Sequence, residues 1–254
     1  MSPRVLILRA PGTNCDEESA YAFERAGGVA ERMHIARLLE SPRVLGDFQI
    51  LCLPGGFSYG DDIAAGRILG NQIRHHLADA CREFRDAGKL VLGICNGFQI
   101  LLKTGLLDLD DEGGSRATLT WNDSAKFEAR WVQLAVAPGN SVFLQGIEEM
   151  ELPVAHAEGK FVARDEATLA ELHNAGRLVL RYTATNGAPS YPANPNGAMG
   201  DVAGVCDRSG RVLGLMPHPE RFIDRTQHPR WTREPNRTTG DGLRLFENAI
   251  RYFS

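Results

Sequence analysis

Two stretches set a nucleophile between small residues: Gly56-Phe57-Ser58-Tyr59-Gly60 and Gly93-Ile94-Cys95-Asn96-Gly97. Small flanking residues suit a sharp strand-to-helix corner, where a strained backbone pushes the central side chain into the open. Context separates the two. Cys95 ends the apolar run Lys89–Ile94 and leads straight into the helical run Asn96–Lys103, whereas Ser58 follows Pro54-Gly55-Gly56 and no helix begins behind it. Cys95 is the candidate nucleophile. At such a corner the free N–H groups and dipole of the following helix favour negative charge on sulfur.

A thiolate of this kind works with a histidine and with a group that orients that histidine. Of the seven histidines, His75 and His76 fall in a helical run and are expected to face solvent, and His34, His173 and His228 lie in ordinary polar surroundings. His218 differs. It follows the apolar run Val212–Leu215, is flanked by Pro217 and Pro219, and has Glu220 two residues on. In an extended stretch two such residues face the same way, so Glu220 can reach the imidazole. Gly55-Gly56-Phe57 ends the strand expected beside that of Cys95, and glycines there let backbone N–H groups approach a substrate oxygen. Each feature alone has a plain structural reading: a small buried thiol, a rigid turn, a glycine-rich loop. Their convergence is what carries the chemistry.

The remaining cysteines give no rival. Cys52, Cys81 and Cys206 sit in strand or helix runs and read as buried apolar residues, while Cys15 lies in a loop with no base near it in the pattern. Five cysteines at irregular spacing, with no C-x-x-C pair, suggest neither a metal site nor a disulfide framework and point to a reduced, cytoplasmic setting.

The elements that must position these groups follow from the pattern. Arg4–Arg9 reads as a strand, Asp16–Ala26 as a helix closing on Gly27-Gly28, Val29–Ile35 and Phe48–Leu53 as strands. Ile63–Ala87 reads as one long helix with a break near Gly70, followed by the strand ending at Ile94. Such alternation predicts a parallel sheet covered on both faces. From about Thr118 the strands are short (Trp131–Val136, Leu152–His156, Leu178–Tyr182) and long helical stretches are few. Thr185–Gly200 is a turn-rich loop, Val202–Cys206 and Val212–Leu215 a hairpin, and Gly242–Tyr252 an amphipathic helix. With 254 residues and no repeat or linker, one domain over 1–254 is expected. A net charge of −4 leaves no nucleic-acid footprint, and no apolar run spans a bilayer.

Pro54-Gly55-Gly56, Gly93-x-Cys95-x-Gly97-x-Gln99 and His218-Pro219-Glu220 resemble the signature of class I (triad) glutamine amidotransferases. Pro11–Asp16, Gly55–Asp61, Cys95–Gln99 and Tyr191–Gly197 narrow the resemblance to the glutaminase subunits of phosphoribosylformylglycinamidine synthases, over nearly the whole chain. The resemblance implies a flavodoxin-like, mostly parallel α/β sheet with helices on both faces and a small mixed or antiparallel extension. It makes Cys95 the nucleophile, His218 the acid/base and Glu220 its orienter. Glutamine would be held by Gly55, Gly56, Phe57, Asn96, Gln99 and His156, with oxyanion donors near Gly56 and Asn96. Ala157 stands where the family usually has glycine, and Asp224–Asn236 looks longer than in compact members. Arg225, Arg230, Arg233 and Arg237 there read as a solvated loop, with docking to an acidic partner as a second hypothesis.

The implied chemistry is release of ammonia from L-glutamine for a partner. No G-x-x-x-x-G-K-[ST] loop is present, so ATP and Mg belong to another chain and no cofactor is expected in this one. The resemblance implies a large synthetase subunit that aminates formylglycinamide ribonucleotide and a small accessory subunit, with this chain free-standing and a poor glutaminase alone. The rivals are an amidotransferase subunit serving another synthetase, a Cys hydrolase or peptidase on the same fold, and a non-catalytic α/β binding module. An electrophilic glutamine analogue that labels Cys95 separates the amidotransferases from the hydrolase, and a binding module leaves three convergent motifs unexplained.

Overall fold

The computed structural model describes residues 2–184 and 186–254; Met1 and Thr185, the first residue of the expected loop, lie outside them. In chain order the elements begin with β1 (Arg4–Arg9), α1 (Asp16–Arg25), β2 (Val29–His34), α2 (Ile35–Glu40), β3 (Ile50–Leu53), α3 (Arg67–His76) and α4 (Ala78–Asp86). β4 (Leu90–Ile94), α5 (Asn96–Thr104), β5 (Asp110–Asp111), β6 (Gly114–Ser115) and β7 (Ala117–Thr120) follow. Then come β8 (Glu128–Val136), β9 (Glu149–His156), β10 (Lys160–Ala163), α6 (Glu166–Asn174), β11 (Leu180–Thr183), β12 (Val202–Cys206), β13 (Val212–Leu215) and α7 (Leu243–Arg251).

One sheet organises the molecule, in the order β2-β1-β3-β4-β13-β12-β11-β8-β9. The pairings from β2 to β13 are parallel, and those from β13 to β9 are antiparallel. β3, β4 and β13 are buried along their whole length, which is why they read as unbroken apolar runs. α1 packs against α7 and α3 against α5, one pair for each face of the sheet. Because β1, β3, β4 and β13 run parallel, the segments that follow them all emerge at one edge: Ala10–Cys15, Pro54–Phe57, Cys95 and Met216–Glu220. Open α/β sheets bind ligands at that carboxyl edge.

The antiparallel extension returns to the same edge. β9 stands at the far end of the sheet, yet its Pro153 carbonyl accepts the His218 N–H at 2.8 Å, so the extension curls back and brings His156 to the rim. Several expectations need correction. The helix expected over Ile63–Ala87 is two helices broken at Leu77, and Gly70 is a packing residue: a Cβ there would stand 2.8 Å from Cβ of Lys103 on α5. Val29–Ile35 gives up its last residue to α2, whose first turn is capped by His34 Nδ1 accepting the Ala36 N–H. α6 was not expected at all, although Asp165 caps it through the Thr168 N–H at 2.7 Å. Among the described residues no helix is long and apolar enough to cross a membrane.

Candidate active site

Cys95 closes β4 and opens α5 with φ 51° and ψ −106°, a backbone that costs a non-glycine residue about 1–3 kcal/mol. Neighbouring glycine makes it possible: a Cβ on Gly97 would lie 1.8 Å from the Leu53 carbonyl oxygen, so α5 starts hard against the end of β3. The Cys95 N–H donates to Leu215 O at 2.8 Å and pins the corner to β13. The thiol borders a cavity of about 230 Å³ and lies 3.7 Å from the Ala155 carbonyl.

His218 arrives from β13 and Glu220 lies two residues on, in the short 3₁₀ turn Pro219–Arg221. The expectation of an extended stretch is corrected, but the contact forms: Nδ1 and Glu220 Oε1 are 2.6 Å apart, with both side chains buried. Burial alone would strip the imidazole of its proton. The Glu220 carboxylate and the neighbouring Cys95 and Cys15 sulfurs outweigh it, and the His218 pKa lies well above its ordinary value. His218 Nε2 has no well-formed hydrogen bond among the described residues.

Gly56, Phe57, Gln99 and His156 line the cavity with Cys95, together with Asp61, Trp121 and Glu158. Among the described residues no acceptor outside α5 takes the N–H of Gly56, which lines the cavity, or of Asn96, the residue after Cys95. The side chain of Asn96 is committed elsewhere: it accepts the Ser58 N–H at 3.1 Å and donates to Asp61 (3.1 Å) and Gln99 (2.9 Å). Gln99 in turn donates to the Glu158 carbonyl at 2.6 Å, tying α5 to the His156–Gly159 turn. That turn is braced from behind. Asn122 Oδ1 accepts from the Gly159 N–H and pairs with His156 Nδ1, each at 3.1 Å, and Asn196 donates to the Gly159 carbonyl at 2.7 Å. Burial and the nearby His218 pull the His156 pKa down to about 4. His156 therefore stays neutral near pH 7, with Nε2 buried and unpartnered beside the cavity.

A thiol on a strained corner, a histidine–carboxylate pair, two N–H donors and a pocket of side-chain size together suit attack on a carbonyl-like carbon. Residues 2–253 match the family described as the CobB/CobQ-like glutamine amidotransferase domain. The phosphoribosylformylglycinamidine synthase subunit PurQ of Dehalococcoides mccartyi is 49% identical over 252 residues, 98% of this chain and 97% of that protein. The chain belongs to the glutamine amidotransferases, on their PurQ branch. PurQ of Thermus thermophilus is 39% identical, covering 87% of this chain and 90% of that one. A chain in the structure of PurLQS from Thermotoga maritima superposes with a TM-score of 0.76 and 31% identity, over 100% of both chains. The α/β fold with its mostly parallel sheet is that of the family.

Within this amidotransferase frame the expected residues fall into two groups. Cys95, His218 and Glu220 meet at one rim, and Gly56, Phe57, Gln99 and His156 face the same cavity. Gly55 and Asn96 stand outside its lining. Gly55 packs behind, where a Cβ would be 2.8 Å from His218 Cε1, and Asn96 braces the loop after β3. Cys52, Cys81 and Cys206 are buried thiols whose pKa burial pushes up, to about 12 for Cys81 and Cys206.

Two expectations fail here. Cys15 does have a base beside it: its sulfur lies within 4.8 Å of a ring nitrogen of His218 and a carboxylate oxygen of Glu220. Its position just past β1, at the same edge as Cys95, was the available signal. His228 is buried and stacked on Trp131 and Phe222, and its Nε2 is 3.4 Å from Glu151, so its surroundings are not ordinary polar ones. Three of the four loop arginines are also engaged within the chain: Arg225 over Trp231, Arg230 with Glu151, Arg237 with Glu234 and Asp241. The Arg230–Glu151 pair clasps the loop to β9.

Proposed function

We propose that the chain is the glutaminase subunit of a phosphoribosylformylglycinamidine synthase. Cys95 Sγ attacks the side-chain amide carbon of L-glutamine, and the developing oxyanion is held by the N–H groups of Gly56 and Asn96. Loss of one such donor costs about 3 kcal/mol. His218, oriented and held protonated by Glu220 at Nδ1, gives its other proton, on Nε2, to the departing nitrogen. Ammonia leaves and a thioester on Cys95 remains. His218 then takes a proton from water, which attacks the thioester and frees glutamate. Phe57, Gln99 and His156 shape the pocket for the rest of glutamine, and Gly55 supports it from behind.

The observation that carries this reading is the meeting of the strained Cys95 corner with the 2.6 Å His218–Glu220 pair at one rim. We read 1–254 as a single amidotransferase domain acting in the cytoplasm, with no cofactor of its own. Ammonia passes to a large synthetase subunit that uses ATP and Mg to aminate formylglycinamide ribonucleotide, assisted by a small accessory subunit. The PurQ names of the relatives and the PurLQS neighbour support that assignment. The decisive assay adds the chain to a synthetase that otherwise runs on ammonium salts. Glutamine should replace ammonium with the wild-type chain and not with Cys95→Ala; a Cys95→Ala chain that still supports glutamine use ends the proposal.

A further inference from the structure

Cys15 is a buried thiol that the mechanism above does not use, at a junction of two functional loops. Its N–H donates to Gly55 O at 3.2 Å, and the Phe57 N–H donates to Gly12 O at 2.9 Å, so Gly12–Cys15 holds the loop that presents the Gly56 donor. Its sulfur lies within 4.8 Å of a ring nitrogen of His218 and a carboxylate oxygen of Glu220. Arg221 Nη2, one residue past Glu220, donates to that sulfur at 3.1 Å, and the thiol reaches Asn14 Oδ1 at 3.2 Å. Gly55 closes the corner: a Cβ there would meet His218 Cε1 at 2.8 Å and Cys15 Sγ at 3.0 Å.

The cluster is not a cation site. Its sulfur already receives a guanidinium, and the 2.6 Å contact between His218 and Glu220 leaves no space for an ion between them. Nor is Cys15 a second nucleophile, because it does not border the cavity. We propose that Cys15 is a positioning residue, which fixes His218 and the Gly55–Phe57 loop in one register for attack by Cys95. This rests on the Cys95–His218–Glu220 reading given above. A displacement of about 1 Å in such a register lowers turnover by up to roughly a hundredfold. The thiol remains protonated for this task, since burial and then Glu220 raise its pKa against the pull of His218 and Arg221.

The charged and titratable groups facing His218 are Glu220 on its own turn, Cys95 at the start of α5, Cys15 before α1 and His156 at the end of β9, with Arg221 behind Cys15. The Cys15 contact raises the proton affinity of His218, so its removal shifts the alkaline limb of the pH–rate profile to lower pH. The test measures labelling of Cys95 by an electrophilic glutamine analogue, and glutamine turnover in the assembled complex. The variants are Cys15→Ala, Cys15→Ser, Arg221→Gln and the Cys15→Ala/Arg221→Gln pair. Cys15→Ala should slow both reactions roughly ten- to a hundredfold with KM changed less than about threefold. Cys15→Ser, which keeps an acceptor for Arg221, should recover most of the rate, and the pair should be no worse than Cys15→Ala alone. Wild-type labelling and turnover in Cys15→Ala would overturn the proposal. So would losses that track only the folded fraction in a melting curve while the alkaline limb stays in place. If the wild-type chain is not labelled at Cys95, the triad reading fails instead.

Discussion

His218 reaches the rim from the middle of the sheet and His156 from its β9 end, with nearly equal burial, at 2% and 3% exposed. Their proton affinities move in opposite directions. His218 holds its proton because a carboxylate stands 2.6 Å from Nδ1, whereas His156 pairs with the Asn122 amide oxygen and falls to about 4. Burial alone disfavours the charged imidazole in both cases, so the partner decides. The parallel half of the sheet supplies a charged acid beside the thiol. The antiparallel extension supplies a neutral ring with an open acceptor beside the pocket.

The widest gap between the two histidines should appear when the base is removed. His218→Asn is expected to lower glutamine turnover in the complex by about 10⁴-fold or more, since it deletes the group that moves the proton. A variant within tenfold of wild type would break the assignment. Glu220→Gln turns the first environment into a version of the second: the ring keeps a partner and loses the charge. Turnover should fall by about 10⁴-fold, no further than in His218→Asn, because Glu220 orients and charges the base without itself moving a proton. Stability reports the same change. With its folded pKa raised, His218 stabilises the fold fully below about pH 6.5 and loses that contribution as pH rises through the folded value. Urea midpoints measured across this range should decline less with pH in Glu220→Gln than in the wild type; an unchanged slope would assign the effect to other groups.

Asn122→Asp makes the converse exchange by giving His156 a carboxylate. It also removes the donor that Asn122 supplies to the His156 and Lys126 carbonyls, at 2.8 and 2.9 Å. Asn122→Ala loses the same donor without adding charge and serves as the control. Near neutral pH the Asp variant should turn over about tenfold more slowly than the Ala variant, because a charged His156 repels charged His218 and its Nε2 no longer accepts. Raising the pH should restore the Asp variant selectively. Identical pH profiles for the two would show that the brace, and not the charge of the ring, sets the role of Asn122.

How far the sequence showed all this depended on range. The corner at Cys95 was legible because its cause is local: an apolar strand, two glycines and a helix within a dozen residues. The identical-looking Gly56–Gly60 stretch is a loop in which Tyr59 and Gly60 take positive φ, and Ser58 is buried with its N–H on Asn96. The His218–Glu220 contact was legible for a partly wrong reason, since a turn and not an extended strand brings the two together. Cys15 beside His218 was not legible. More than two hundred residues separate them, and only the parallel pairings of β1, β3, β4 and β13 bring their loops to one edge. The break at Leu77 was misplaced for a related reason, as Gly70 answers to the approach of Lys103 from a distant helix. α6 had a local signal, Asp165 three residues before Thr168, which the short strands around it obscured.

A third buried histidine tests whether burial and a carboxylate are enough. His228 is 1% exposed, its Nδ1 accepts the Arg230 N–H at 3.2 Å, and its Nε2 faces Glu151 at 3.4 Å. It therefore resembles His218 in burial and in the charge of its neighbour, but no thiol or cavity adjoins it; its ring is enclosed by Trp131 and Phe222. The contact with Glu151 is longer than the His218–Glu220 contact, and Glu151 is shared with Arg230. His228→Gln should destabilise the chain by about 1–2 kcal/mol through lost packing, visible as a lower urea midpoint. Turnover of the folded protein should stay within about twofold, because the residue stands outside the chemistry. A large fall in kcat with unchanged stability would mean that the clasp behind Phe222 sets the position of Glu220, and that the rim of the sheet alone does not.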